Sequence, residues 1–187
     1  NELYKKLAYI KSGDALVLAG SIPKSISSDI YCEILEKLSD KSILTVVDAT
    51  GELLKKSLKY NPFLIKPNRS ELEELCGHKL ETLDDISDAA RELKKAGAKN
   101  VLVSLGADGA LLVTEDNQVI YRKAIKGNVI NSTGAGDSMV AGFIYGWLEK
   151  GDYSYALDMG ISAGSASTFS ENLATKEEIE KIYELLQ

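Results

Sequence analysis

Four short apolar runs, at residues 15–19, 43–47, 63–65 and 101–103, alternate with segments of helical periodicity, and this alternation most constrains how the 187-residue chain can fold. Apolar runs this short, bounded by turn residues, read as buried strands. A strand that returns through a helix comes back parallel, because a parallel partner cannot be reached by a tight turn. Residues 110–113 and 119–122 follow as a hairpin, expected as antiparallel edge strands. Helices to Glu149, over 154–170 and over 176–186 complete the chain. The order βαβαβαβ, hairpin, helices is that of an α/β protein with a mostly parallel sheet covered on both faces.

Local signals mark the helix ends. Ser27 or Ser28 is the expected cap of a helix whose apolar face is Ile30, Ile34, Leu35 and Leu38. Ser70 or Asn68 caps a helix stopped by Gly77, and Thr82 caps one over 84–96 stopped by Gly97. Residues 1–11 read as a helix already under way, with Leu3, Leu7 and Ile10 on one face, and the first residue is Asn1. This suggests a piece of a longer protein. Within the piece there is no repeat, linker or low-complexity tract, so 1–187 is expected to be one domain.

The charge balance of 22 basic against 28 acidic residues, net −6, argues against broad nucleic-acid binding, which draws its affinity from a basic face. The longest apolar runs fall well short of the roughly 20 residues that span a bilayer, and no signal peptide opens the chain. A cytoplasmic location without membrane partners is expected. Cys32 and Cys76 lack metal-ligand spacing and are expected as reduced thiols.

The chemistry concentrates at Asn131-Ser132-Thr133-Gly134-Ala135-Gly136-Asp137-Ser138-Met139-Val140-Ala141-Gly142. Two glycines stand where a helix begins, and backbone N–H groups there lack intrahelical partners and favour an anion. Asp137 in the first turn adds a carboxylate that can take a proton from a hydroxyl while the N–H groups hold a phosphoryl group. The same letters would also serve as an ordinary helix start. The spacing is neither that of a P-loop nor that of the dinucleotide fingerprint. Three further loops, 20–23, 66–71 and 104–109, fall at strand ends, where open α/β sheets place ligands. Gly160, Ala163, Gly164 and Ala166 permit close approach of either a packed helix or a flat ligand. His78, the only histidine, is expected as a solvent-exposed loop residue, and Asp48 and Asp108 sit at strand or turn ends where local hydrogen bonding accounts for them.

Together these segments resemble the phosphofructokinase B, or ribokinase-like, family of carbohydrate kinases, from Gly20 to about Ser170. The residues that carry the resemblance are Asn131 to Asp137 with Ala141-Gly142-Phe143, Gly20 to Pro23, Ile65 to Leu72, and Val103 to Ala110. It implies a three-layer α/β/α ribokinase-like fold and an ATP- and Mg²⁺-dependent phosphotransferase with an alcohol acceptor. Within the family the segments look most like the enzymes that convert fructose 1-phosphate to fructose 1,6-bisphosphate, with tagatose-6-phosphate kinases as neighbours. Asp137 is then the general base, and Gly134, Ala135 and Gly136 form the anion hole. Lys66, Asn68, Ser104, Gly106, Gly109 and Gly164 belong to the ATP site, with Ala163 and Ser167 near the adenine. Glu71, with Asn68, organises Mg²⁺ through water. Family members also carry an N-terminal part with a sugar-binding Asp, a glycine-rich segment and a small lid, and none of these is in this chain. The resemblance therefore leaves open a homodimer of the full-length protein, and implies that the C-terminal ATP-binding portion alone is inactive or binds nucleotide without catalysis.

Overall fold

The computed structural model describes residues 2–23 and 25–187. Its contacts fall into two compact units, one of residues 1–102 with 115–117 and the other of 103–114 with 118–187.

The first unit begins with α1 (Glu2–Leu7), β1 (Ala15–Ala19), α2 (Ile30–Lys37), β2 (Leu44–Asp48) and α3 (Gly51–Ser57). It continues with β3 (Leu64–Ile65), α4 (Arg69–Cys76), α5 (Leu83–Lys95) and the start of β4 (Asn100–Ser104). The four strands pair in parallel, with Ala15 opposite Leu44, Val46 opposite Leu64 and Leu64 opposite Asn100. Their apolar residues explain the arrangement. Val46, Val47, Leu64, Ile65, Val101 and Leu102 have no exposed surface, as expected of strands covered on both sides. β1 differs, since only Leu18 is buried along it. Asn100 is also fully buried, and its side chain is satisfied on both sides. Its Nδ2 donates to Phe63 O at 2.8 Å, and its Oδ1 accepts from Glu115 N at 2.8 Å.

The open alternatives at helix ends are settled in this unit. Asn68 rather than Ser70 caps α4, accepting from Glu71 N at 2.9 Å while Glu71 Oε2 accepts from Asn68 N at 2.8 Å. Thr82 and Asp85 form the same reciprocal box at α5. Neither Ser27 nor Ser28 stands at the cap of α2. Asp29 does, without a side-chain cap bond, while Ser27 Oγ accepts from Asp29 N and so stabilises the turn before the helix. α1 ends at Leu7 rather than continuing to 11, since Ala8, Tyr9 and Ile10 close tight turns onto residues three back.

The second unit holds the end of β4 from Val103, then β5 (Ala110–Val113), β6 (Val119–Arg122), α6 (Ala135–Lys150), α7 (Tyr153–Thr168) and α8 (Lys176–Leu186). β5 and β6 form the expected antiparallel hairpin, with Leu111 opposite Tyr121. α7 packs against this hairpin, and Arg122 Nε donates to Asp158 Oδ1 at 3.0 Å across that contact. Burial pushes the Asp158 carboxyl up from its ordinary value, against the opposing pull of the Arg122 guanidinium.

α6 and α7 meet through small residues on both helices. A Cβ at Gly142 would lie 2.4 Å from Met159 O, and one at Gly146 would lie 2.8 Å from Ala156 Cα. Distances that short cannot be relieved by a side-chain shift, because the obstructing atoms belong to the backbone. The small-residue stripe on α7 is therefore a packing surface for α6 along most of its length. Among the described residues no helix is long and apolar enough to cross a membrane.

Candidate functional site

The glycine motif forms the start of α6. Helical backbone begins at Ala135, four residues before the apolar run at Met139, with Gly134 at the cap in left-handed conformation, φ 79° and ψ −1°. A Cβ there would meet only the end of the exposed Leu173 side chain, which can move aside, so it is the backbone conformation that selects glycine. No side chain caps this helix. Thr133 N donates instead to Asn131 Oδ1 at 2.9 Å, which fixes the approach to the turn.

The N–H groups at the helix start are not equivalent. Ala135 N donates to Ser132 O at 3.3 Å, whereas among the described residues nothing accepts from the N–H of Gly134, Gly136 or Asp137. Three orphan donors at the positive end of a four-turn helix make a compact anion-binding concavity. The Asp137 side chain stands in the same turn and is exposed.

Beside this turn lies a cavity of about 610 Å³ formed wholly within the second unit. Ser104, Gly106, Gly109 and Gly164, all predicted for ATP, line it together with Ala135 and Gly136 of the anion hole. The 3-10 turn Gly106–Asp108 carries the β4–β5 loop past it, with Gly106 at φ 59°. Gly109 has φ 101°, and a Cβ there would lie 2.0 Å from Arg122 O. The hairpin thus requires glycine at 109 whether or not a ligand is bound. Gly164 also does two things. It lines the cavity, and its missing side chain lets the Ala135 carbonyl approach, since a Cβ would come within 3.2 Å of Ala135 O.

Ala163 and Ser167, expected near the adenine, are not among the residues that line the cavity. Ala163 is turned to α6, where its Cβ lies 2.8 Å from the point a Cβ on Gly142 would occupy. Ser167 is 3% exposed, and its hydroxyl donates to Ser138 Oγ at 2.9 Å.

The rest of the lining was not foreseen. The loop between β6 and α6 contributes Ile125, Lys126, Gly127 and Val129, and the end of α7 contributes Thr168 and Phe169. Phe169 lies flat against the backbone of Gly127, where a Cβ would sit 2.5 Å from its ring. One signal for this loop is present in the sequence, namely the apolar residues Ile125 and Val129 among lysine, glycine and asparagine. Size and lining suit a small organic ligand with an apolar, flat portion.

Lys66, Asn68 and Glu71 belong to the first unit. Lys66 is 7% exposed and pairs with Asp48 at 3.3 Å. Asn68 and Glu71 hold each other in the capping box of α4, which leaves Glu71 Oε1 outside that box. Among the described residues no group of three or more His, Cys, Asp or Glu could hold a metal ion by itself. His78 is exposed, its Nδ1 3.0 Å from Lys79 O.

The pfkB family carbohydrate kinase profile matches residues 1–180. The chain is 39% identical over 173 residues to 1-phosphofructokinase of Bacillus subtilis, covering 92% of this chain and 57% of that protein. To 1-phosphofructokinase of Borreliella burgdorferi it is 32% identical, covering 96% and 58%. The crystal structure of phosphofructokinase-2 from Escherichia coli in complex with substrates and products superposes with TM-score 0.92 at 33% identity, covering 99% of this chain and 61% of that one. The chain thus spans a little under three-fifths of the curated relatives it matches, and shares with them a ribokinase-like α/β/α fold. A family match over nearly the whole chain, relatives above 30% identity, and a glycine turn opening beside a cavity lead to one statement: the chain belongs to the pfkB family of carbohydrate kinases.

Proposed function

We propose that this chain carries the ATP site and the general base of a sugar-phosphate kinase acting on fructose 1-phosphate. One observation carries the reading: four residues predicted for ATP and two of the anion hole line a single cavity at the start of α6. In the reaction Asp137 takes the proton of the acceptor hydroxyl as that oxygen attacks the γ-phosphorus. A new O–P bond forms, the bond to the β-phosphate oxygen breaks, and ADP leaves. The N–H groups of Gly134, Gly136 and Asp137 face the charge that develops on the transferring phosphoryl group. The apolar lining around Phe169 and Ile161 suits the base, and Lys126 supplies a cation at the cavity wall.

Lys66, Asn68 and Glu71 are proposed to serve the phosphates and Mg²⁺. The donor set fits an ion held through water, since α4 offers one carboxylate oxygen beyond its capping box rather than a cage. When bound, Mg²⁺ would neutralise phosphate charge. Tagatose 6-phosphate is the alternative acceptor, and the names of the relatives favour fructose 1-phosphate.

A second reading is nucleotide binding without turnover. It is favoured by the cavity itself, in which Lys126 is the one charged side chain among the described lining residues. Calorimetry of this chain with ATP·Mg²⁺ and with fructose 1-phosphate, alongside a coupled kinase assay, separates the two. Turnover supports the kinase, nucleotide binding alone supports the second reading, and no nucleotide binding refutes both.

A further inference from the structure

The turn that carries Asp137 rests on α7 through two contacts with matched spacing. On α6 they involve Ala135 and Ser138, and on α7 they involve Gly164 and Ser167, three residues apart in each case. Residues three apart share one helix face, so the two contacts draw on the same face of each helix. At the first, the absence of a side chain at Gly164 sets how near Ala135 O can come. At the second, the Ser167 hydroxyl donates to Ser138 Oγ at 2.9 Å and accepts from Ala174 N at 3.2 Å. Ser167 is 3% exposed, which makes both bonds costly to lose. Ser138 N in turn donates to Gly134 O at 2.8 Å, closing the first turn of α6 around the orphan N–H groups.

Two features indicate that this contact sets the turn rather than only filling space. The last residue of α7 and Glu171 beyond it hold the chain that leads into the same turn, with Ile130 N and Asn131 N donating to Thr168 O at 2.9 and 3.2 Å and Asn131 Nδ2 donating to Glu171 O at 3.3 Å. In addition, Ser138 directly follows Asp137. Tyr155 Oη donates to Glu149 Oε2 at the far end of the α6–α7 contact, and Ser138 and Ser167 form the polar pair at the end that holds the motif.

We propose that Ser138 and Ser167 are positioning residues, which hold the Gly136 and Asp137 N–H groups and the Asp137 carboxylate at the height where they act. In its catalytic consequence the proposal rests on the kinase reading above. Neither serine touches the reacting atoms; both act through the turn.

The test compares the wild-type chain with Ser138→Ala, Ser167→Ala, the double variant and Ser138→Thr. Amide hydrogen exchange is read on the chain itself. Ser167→Ala should speed exchange at the bonded amides of residue 138 and Ala174 by about tenfold, as expected for one lost buried hydrogen bond, while Ile161 keeps its protection. Ser138→Ala should speed position 138 alone, the double variant should go no further than Ser167→Ala, and Ser138→Thr should match wild type. Kinetics are read on the full-length protein with ATP and fructose 1-phosphate, where kcat should fall about tenfold in both alanine variants with KM for ATP within about twofold. Unchanged exchange at residue 138 in Ser167→Ala, or additive effects in the double variant, overturns the proposal. A wild-type protein without kinase activity removes the kinase reading, and the exchange pattern still decides whether the pair holds the turn.

Discussion

The starts of α4 and α6 are built in opposite ways. α4 begins with Asn68 and Glu71 bonded reciprocally, so that side chains satisfy two of the backbone groups a helix end leaves open. α5 and α8 do the same, with Thr82 and Asp85 and with Thr175 and Glu178. α6 starts at a left-handed glycine without a side-chain cap. A capped start gains about 1 kcal/mol of helix stability and has fewer donors left to offer. An uncapped start forgoes that stability and keeps its N–H groups for an anion. The difference separates ends that hold the fold together from the end proposed to act on a ligand.

Asp137→Asn is the strongest challenge to that contrast. In the full-length protein it should lower kcat by about three orders of magnitude or more while leaving the melting temperature nearly unchanged, because the exposed carboxylate bears on chemistry and not on the fold. A variant with near-normal kcat would remove Asp137 from the mechanism. Next in size is Gly109→Ala, expected to destabilise by roughly 3 kcal/mol or more, since its Cβ would collide with backbone at 2.0 Å in a positive-φ position. Urea denaturation measures this, and a loss below 1 kcal/mol would show that the hairpin relaxes.

Asn68→Ala and Thr82→Ala sharpen the capped side of the comparison. Each should cost about 1 kcal/mol in urea unfolding, the usual value of an N-cap. An Asn68 variant of full stability would mean that the box at α4 is not needed for folding.

The smallest effect is on pH dependence. Hydrogen bonds from the Thr82 backbone and side chain hold the Asp85 carboxyl below its ordinary 3.8. A depressed folded pKa contributes stability above the unfolded value and loses it as pH falls through the folded one. Asp85→Asn should therefore flatten the stability profile below about pH 4, read from urea midpoints, and leave its shape at pH 6–8 unaltered. An unchanged acid profile would show that these hydrogen bonds do not distinguish folded from unfolded chains.

Much of the architecture was legible because it follows from local chemistry. β1 at 15–19 and α8 at 176–186 have their expected bounds, the first from an unbroken apolar run and the second from Thr175 followed by an amphipathic segment. Of the predicted ATP-site residues, Ser104, Gly106, Gly109 and Gly164 share one cavity. Other features depended on partners distant in sequence. Ser27 or Ser28 was a reasonable cap by residue type, yet chain entry from Pro23, with Ile26 N bonded to Pro23 O, puts Asp29 at the helix start. Ala163 and Ser167 are small enough for either a flat ligand or a packed helix, and the side chains of both contact α6. Lining by Phe169 and Gly127 joins residues over forty positions apart, and periodicity carries no information about such a pairing.

The sequence by itself determined the alternation of strands and helices, the glycine turn at 134–136 with its acid, and the family, because each is written in consecutive residues whose backbone preferences are local. Only the tertiary structure decided which small residues face a cavity and which face a helix. It also decided that the Ala135 N–H is engaged while those of Gly136 and Asp137 are open, and that the Ser167 hydroxyl bonds to Ser138. The physical reason is that a glycine or serine has the same local preferences in either setting. What it touches depends on where a second helix, more than twenty residues away, comes to rest.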